Sequence, residues 1–554
     1  MEFRGPDISR PRIELHPEDH IYREPITQYL NWNISSSFRR PDGVLKRVFT
    51  INDLFPGPTI EARAGDTLII AVNNTIKDES FSIHWHGLHV HQSMDGAVGV
   101  TQNPIEPGTT FVYNLTIPPD QSGTFWYHAH SGVARADGLY GGFVIHRPSP
   151  KSTVRGLLGQ ETSVDSDRFH YNKELLLLIG DWYHRSAPDV LSWYMRAGSF
   201  GNEPVPDSLV INGAGHFDCS MAVPARPLDC LVSSIDPPLF NMERNLAYRI
   251  RVVNTGSLAG FSLAFSHQNL ELIQLDSVDV EPQQKSATSL GNLFPGQRMD
   301  FVIRTLEEAD DGQGPMYMTV ELDRGCFRYP NPALTPEQTF EISTMDSIQS
   351  QKENIRPKHH LDIEQVPSAR SVLADLPPTA QQTHVVYTKI EKLSIRHNIP
   401  YGFFNRTSWK PQSNPPQPLN SLSKGQWDEN QFSLSTGPEP VWVDLVVNNL
   451  DEGDHPFHLH GHHFYVLAIY RSSTGWGSYN PFSDARPPGL SLPEESDAQS
   501  PYDLSRAILR DTVQIPRRGY AVLRFRADNP GVWLFHCHIL WHLASGMAMI
   551  VEVG

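Results

Sequence analysis

Four His-x-His pairs stand in matching places near the two ends of the chain: His84/His86, His128/His130, His458/His460 and His536/His538. The first two pairs start 44 positions apart and the last two 78 apart. A polar, proline-rich stretch near 472–505 accounts for the excess. Side chains two positions apart on a β-strand share one face, about 6.6 Å apart. Four such strands, two from each end of the chain, could aim eight imidazoles at one point. Imidazole binds zinc, copper, iron and nickel. Eight imidazoles exceed what one ion needs, and three ions would use them well. A single pair reads equally well as the polar face of a strand, but four pairs in matching places do not.

The last pair encloses Cys537, whose side chain must point to the opposite face of its strand. His542 and Met547 follow it, and His455 precedes the third pair. One thiolate, two imidazoles and a weak thioether form the trigonal set of a blue-copper electron-transfer site. Alone, Cys537 would read as a buried thiol and Met547 as core. A hydrolytic zinc site is excluded, because no carboxylate stands in a ligand position and the cysteine would have no use.

The elements that carry these residues read as short strands. Thr67–Val72, Tyr248–Val253 and Val441–Val447 are β-branched runs bounded by turn residues. One short helix is expected over 188–199. The class is all-β. A turn-then-strand phrase recurs at Glu106-Pro107-Gly108, Phe294-Pro295-Gly296 and Pro516-Arg517-Arg518-Gly519. Near-identical strands follow the first and third, at Gly123–His130 and Gly531–His538. The 554 residues therefore divide into three β units, near 25–148, 165–345 and 375–554. Ser347 to Ser368 reads as a linker, and 410–438 and 472–505 as surface insertions in the third unit. A net charge of -17 argues against nucleic acid or an anionic membrane as partner. No apolar run reaches the length of a membrane span, and the N-terminus has no signal-peptide pattern. Sequons at Asn33, Asn73, Asn114 and Asn405 nevertheless lean towards a secreted glycoprotein.

These motifs resemble the multicopper oxidases, the family of laccases, ascorbate oxidases and ferroxidases. The likeness rests on His84-Trp85-His86-Gly87, His128-Ala129-His130, the run His455–His462, and His536-Cys537-His538 continuing to His542 and Met547. It covers nearly the whole chain. It implies three cupredoxin-like Greek-key β-barrel domains, the first and third holding copper and the middle one walling the substrate pocket. It implies four copper ions. His455, Cys537 and His542 would hold type 1, with Met547 axial. His84 and His458 would hold type 2. His86, His128, His130, His460, His536 and His538 would hold the type 3 pair. The implied reaction takes single electrons from a reductant at type 1 and reduces O₂ to two waters at the trinuclear cluster. Asp95 matches an acidic residue near the cluster, a candidate proton relay, although an ordinary Asp-Gly turn explains it equally well.

The pattern departs from parts of the family. Leu540 stands where many members carry an acid, so a second relay is in doubt there. Asn103 stands where many have a cysteine. Met547 replaces the Leu or Phe of high-potential laccases, which implies a moderate or low type 1 potential. Cys219 and Cys230 resemble a bridge in ascorbate oxidases, leaving Cys326 free. Asp207 matches an acid that laccases use on a phenol hydroxyl. Glu203 and Asp451 match iron-binding carboxylates of fungal ferroxidases, though both also read as solvated loop charges. The sequence favours a laccase-like phenol oxidase, EC 1.10.3.-, acting as a monomer on a polyphenol such as a pigment or secondary-metabolite precursor. The alternatives are oxidation of Fe(II), ascorbate-oxidase-like activity, or a copper-storage or electron-carrier protein. His89, His91, His462 and His463 lie near the ligands without an assigned role.

Overall fold

The computed structural model describes residues 10–149, 164–232, 240, 242–243, 246–266, 268–305, 316–342, 359–490 and 500–554. Two sheets pack face to face in each third of the chain. The first third pairs a sheet ordered Lys46–Ile51, Thr27–Arg39, Thr67–Asn74, Thr110–Thr116 with one ordered Ile60–Arg63, Tyr140–His146, Gly123–Ala129, Ile83–His86. The middle third pairs a seven-stranded with a five-stranded sheet, and the last third a six-stranded with a five-stranded one. Alternation sets the faces. In Thr67–Asn74 every second residue is buried, and Leu68, Ile70 and Val72 fill the first core. Strands near the centre, such as Gly123–Ala129, are buried on both faces, which is where the histidines sit.

The expected strands Thr67–Val72, Tyr248–Val253 and Val441–Val447 lie within Thr67–Asn74, Tyr248–Asn254 and Val441–Asn449. The helix expected over 188–199 is shorter, Ala187–Tyr194, capped by the Ser186 hydroxyl on Asp189 N–H. A separate 3₁₀ turn follows at Ala197–Ser199. The linker expected over 347–368 needs correction. Residues 347–358 lie outside the described set, but His360–Asp362 pairs in parallel with Ser289–Leu293 and belongs to the middle sheet. Ile363, fully buried beside it, explains why this polar stretch docks. The 410–438 stretch is likewise more than a surface insertion. Ser433–Ser435 adds an edge to Ala548–Val553, and Leu419 packs with Ala97 and Val100 of the first third. Cys219 and Cys230 form a disulfide, and Cys326 is free. Among the described residues, no helix is long and apolar enough to cross a membrane.

Candidate metal centre

The four His-x-His strands converge where the first and last thirds meet. Ile83–His86 pairs antiparallel with Gly123–Ala129, placing His84 opposite His128. His455–Leu459 pairs with Gly531–Cys537, placing His458 opposite His536. The two sets then face each other. His84 and His460 stack at 3.9 Å between ring centroids, and His86 and His458 at 3.7 Å. The ligand atoms of His84, His86 and His128 lie within 4.8 Å of one another, as do those of His84, His458 and His460, and those of His130, His460 and His536.

Backbone carbonyls set the tautomers. His84 Nδ1–H donates to the Asp95 carbonyl at 2.8 Å, His458 to that of Asp511 at 2.8 Å, and His536 to that of Cys537 at 2.9 Å. His128 Nδ1 does the same to Ala129 at 3.1 Å. Each bond leaves the Nε2 lone pair aimed inward, the arrangement that metal-bound histidines adopt. The result is a set of facing acceptors: His84 and His458 Nε2 at 3.4 Å, and His130 and His536 Nε2 at 3.4 Å. His86 Nδ1 and His128 Nε2 are buried with no hydrogen-bond partner among the described residues. Burial, then the neighbouring imidazoles, hold His460 and His536 well below the usual histidine range, and His130 falls to about 3. These rings are neutral at neutral pH and ready to bind a cation. Converging imidazole lone pairs, those of His86 and His128 met by no donor among the described residues, fit copper ions.

A second set lies on the other face of the last His-x-His strand. Cys537 Sγ is 3.8 Å from His455 Nδ1 and 3.6 Å from His542 Nδ1, and the two Nδ1 atoms are 3.1 Å apart. All three residues are buried. Met547 is fully buried, and its carbonyl accepts the Cys537 N–H at 3.0 Å. Burial opposes charge on the thiol, but the hydrogen bonds with His455 and His542 outweigh it and bring Cys537 down to about 7.

The predicted carboxylates divide. Glu203 Oε1 accepts from His542 Nε2 at 3.1 Å, and Asp451 Oδ2 from His455 Nε2 at 3.2 Å. Both carboxylates are about one-fifth exposed, so the Cys537 set reaches solvent through them. Asp207 makes no hydrogen bond to His455, Cys537 or His542 among the described residues. It accepts the His184 N–H at 2.9 Å and contacts the Asn331 amide. Asp95 is fully buried, with both oxygens 3.0 Å from His460 Nδ1. That is a contact with a clustered histidine which an ordinary surface turn would not make. Leu540 is buried with its N–H on the Ser257 carbonyl.

Sequence reasoning missed three residues here. Asp511 accepts from His86 Nε2 at 3.1 Å and pairs with Arg298. Arg135 places its guanidinium 2.9 Å from His538 Nδ1 and on the His538 carbonyl. Nothing local marks either Asp511 or Arg298, since hundreds of positions separate them from their partners. Of the unassigned histidines, His89 and His463 bond each other at 2.8 Å, His462 packs on Trp533, and His91 caps a 3₁₀ turn.

Family models described as multicopper oxidase match residues 33–150, 173–322 and 394–554. The chain is 30% identical over 541 residues to the iron transport multicopper oxidase FET3 of Gibberella zeae, covering 95% of this chain and 76% of that protein. It is 29% identical over 550 residues to laccase-1 of Cryptococcus neoformans var. grubii, covering 96% and 80%. Among solved structures, Fet3p, a multicopper oxidase that functions in iron import, superposes with a TM-score of 0.77 at 25% identity, covering 95% of this chain and 90% of that one. With cupredoxin-like domains, converging histidines and these relatives in agreement, the chain belongs to the multicopper oxidase family.

Proposed function

We propose that the protein is a laccase-like phenol oxidase. In this reading the three units near 25–148, 165–345 and 375–554 are its domains, and the middle one carries no copper. His455, Cys537, His542 and Met547 hold type 1. His84 and His458 hold type 2. His86, His128, His130, His460, His536 and His538 hold the type 3 pair. Bound copper supplies one-electron acceptance from the reductant and four-electron reduction of O₂ to two waters. The exposed sequons Asn33, Asn114 and Asn405 support a secreted glycoprotein.

The observation that carries the reading is the Glu203–His542 hydrogen bond. A phenol that loses an electron through His542 must also lose a proton. Glu203, partly exposed and touching the same imidazole, is placed to take it. It thereby fills the role that the sequence suggested for Asp207. Inward from there, Cys537 ends the strand Gly531–Cys537 and lies between His536 and His538 in sequence, so covalent backbone links the sulfur to both imidazoles. At the cluster, Asp95 touches His460 and His84 and is placed to hold a proton for the oxygen atoms.

A second reading is oxidation of Fe(II). It is favoured by the same bond and its twin, Asp451–His455, because two partly exposed carboxylates beside the copper ligands suit a hard cation. The FET3 relative is named for iron transport. Replacing Glu203 with Gln separates the two. Proton acceptance predicts that E203Q lowers kcat/KM for a diphenol roughly 100-fold. If E203Q spares the diphenol and abolishes Fe²⁺ oxidation, the iron reading takes its place.

A further inference from the structure

The middle domain holds no copper ligand, yet one of its turns reaches the cluster. Phe294-Pro295-Gly296-Gln297-Arg298 is the second copy of the repeated turn phrase, and it leads into the strand Arg298–Thr305. Gly296 has a φ of +91°, and a Cβ there would lie 2.9 Å from the His538 ring. Arg298 is fully buried and meets all three domains. Its Nε donates to the Thr124 carbonyl at 3.0 Å in the first domain. Its own domain contributes Asp276, 3.4 Å from Nη1. Its two terminal nitrogens donate to Asp511 of the last domain at 2.7 and 2.6 Å, a bidentate clamp.

Asp511 passes this constraint to two ligand histidines. Its carboxylate accepts from His86 Nε2, leaving His86 Nδ1 as the free buried lone pair. Its backbone carbonyl accepts from His458 Nδ1, leaving His458 Nε2 inward. The clamp also packs directly on the first histidine motif. A Cβ at Gly87 would lie 2.5 Å from Arg298 Nη2 and 2.7 Å from Asp511 Oδ2. Glycine in His84-Trp85-His86-Gly87 therefore makes room for the ion pair as well as for its own left-handed backbone.

We propose that Arg298 is a positioning residue of the trinuclear site, acting through Asp511 on His86 and His458. The copper-free domain is thereby part of the oxygen-reducing machinery and more than a wall of the substrate pocket. The inference rests on the copper reading of those histidines, and a type 1 signal in the same sample checks that reading independently.

The test is Arg298→Gln and Arg298→Lys in the full chain loaded with copper. Electron paramagnetic resonance, visible and near-ultraviolet absorption, and copper content are measured against wild type. Loss of support around a ligand typically costs about 10- to 100-fold in metal affinity or activity. R298Q is expected to keep the type 1 signal and to alter the type 2 hyperfine pattern and weaken the type 3 absorption. Its kcat should fall by a similar factor with KM for the reductant unchanged. R298K, which keeps the charge without the fork, should fall between. Unchanged type 2 and type 3 spectra in R298Q, whatever happens to Tm, would overturn the proposal. So would equal loss of all copper signals in both variants, which would make Arg298 a general tie between domains.

Discussion

At the scale of single residues, chemistry follows from what each ring nitrogen faces. Histidines whose Nδ1–H is held by a carbonyl present Nε2 inward, while His455 and His542 face the sulfur through Nδ1 and the solvent side through Nε2. That these histidines and Cys537 would gather was legible in the sequence, because the His-x-His spacing and Cys537 between two histidines are local patterns. Asp511, Arg298 and Arg135 were not legible, because their roles exist only once distant strands meet. Glu203 and Asp207 show the limit most plainly. They stand four positions apart, and only the folded loop decides that Glu203 meets His542 while Asp207 is spent on the His184 amide. Met547 is buried in the same core as Cys537, and in the proposed assignment its thioether would be the weak axial ligand of type 1. Met547→Leu is expected to raise the type 1 potential in a redox titration, and an unchanged or lower potential would contradict an axial Met547.

At the scale of elements, strand pairing does the positioning. Antiparallel register puts His84 across from His128 and His458 across from His536, so one side of each sheet carries the clustered histidines. The strands themselves were readable, since their β-branched runs alternate with turn residues. Elements that depend on docking were not. His360–Asp362 is polar and short, and becomes a strand only because Ser289–Leu293 offers an edge and Ile363 a buried anchor. Turns matter as much as strands. Gly296→Ala would place a Cβ at positive φ, costing about 1–2 kcal/mol, and would press on His538 as well. G296A is expected to lower Tm and type 3 copper content together. Full copper content with wild-type spectra would contradict the close approach.

At the scale of the whole molecule, the site exists because two domains press neutral histidines together and water is excluded. That has a consequence for the metal-free protein. Burial lowers His130 to about 3 and His462 to about 4, so between those values and the unfolded value near 6.5 the unfolded chain binds more protons. Stability of the apo protein should therefore fall as pH drops below about 6.5, by on the order of 1 kcal/mol per pH unit for each such histidine. His455, raised to about 10 by Asp451 and Cys537 despite its burial, acts in a different window: its contribution is complete below 6.5 and is lost as pH rises through 10. Thermal melts of apo protein at pH 7 and pH 5 check this, and equal Tm values would contradict it. Copper should remove much of the acid sensitivity, because bound ligands resist protonation. Electron flow through the site is tested most directly by O₂ uptake of the copper-loaded protein, comparing kcat/KM for a diphenol with that for Fe²⁺. The diphenol is expected to give the larger value, with four electrons consumed per O₂ and no peroxide released. A larger value for Fe²⁺ would contradict the phenol oxidase reading, and peroxide as the product would contradict the trinuclear site itself.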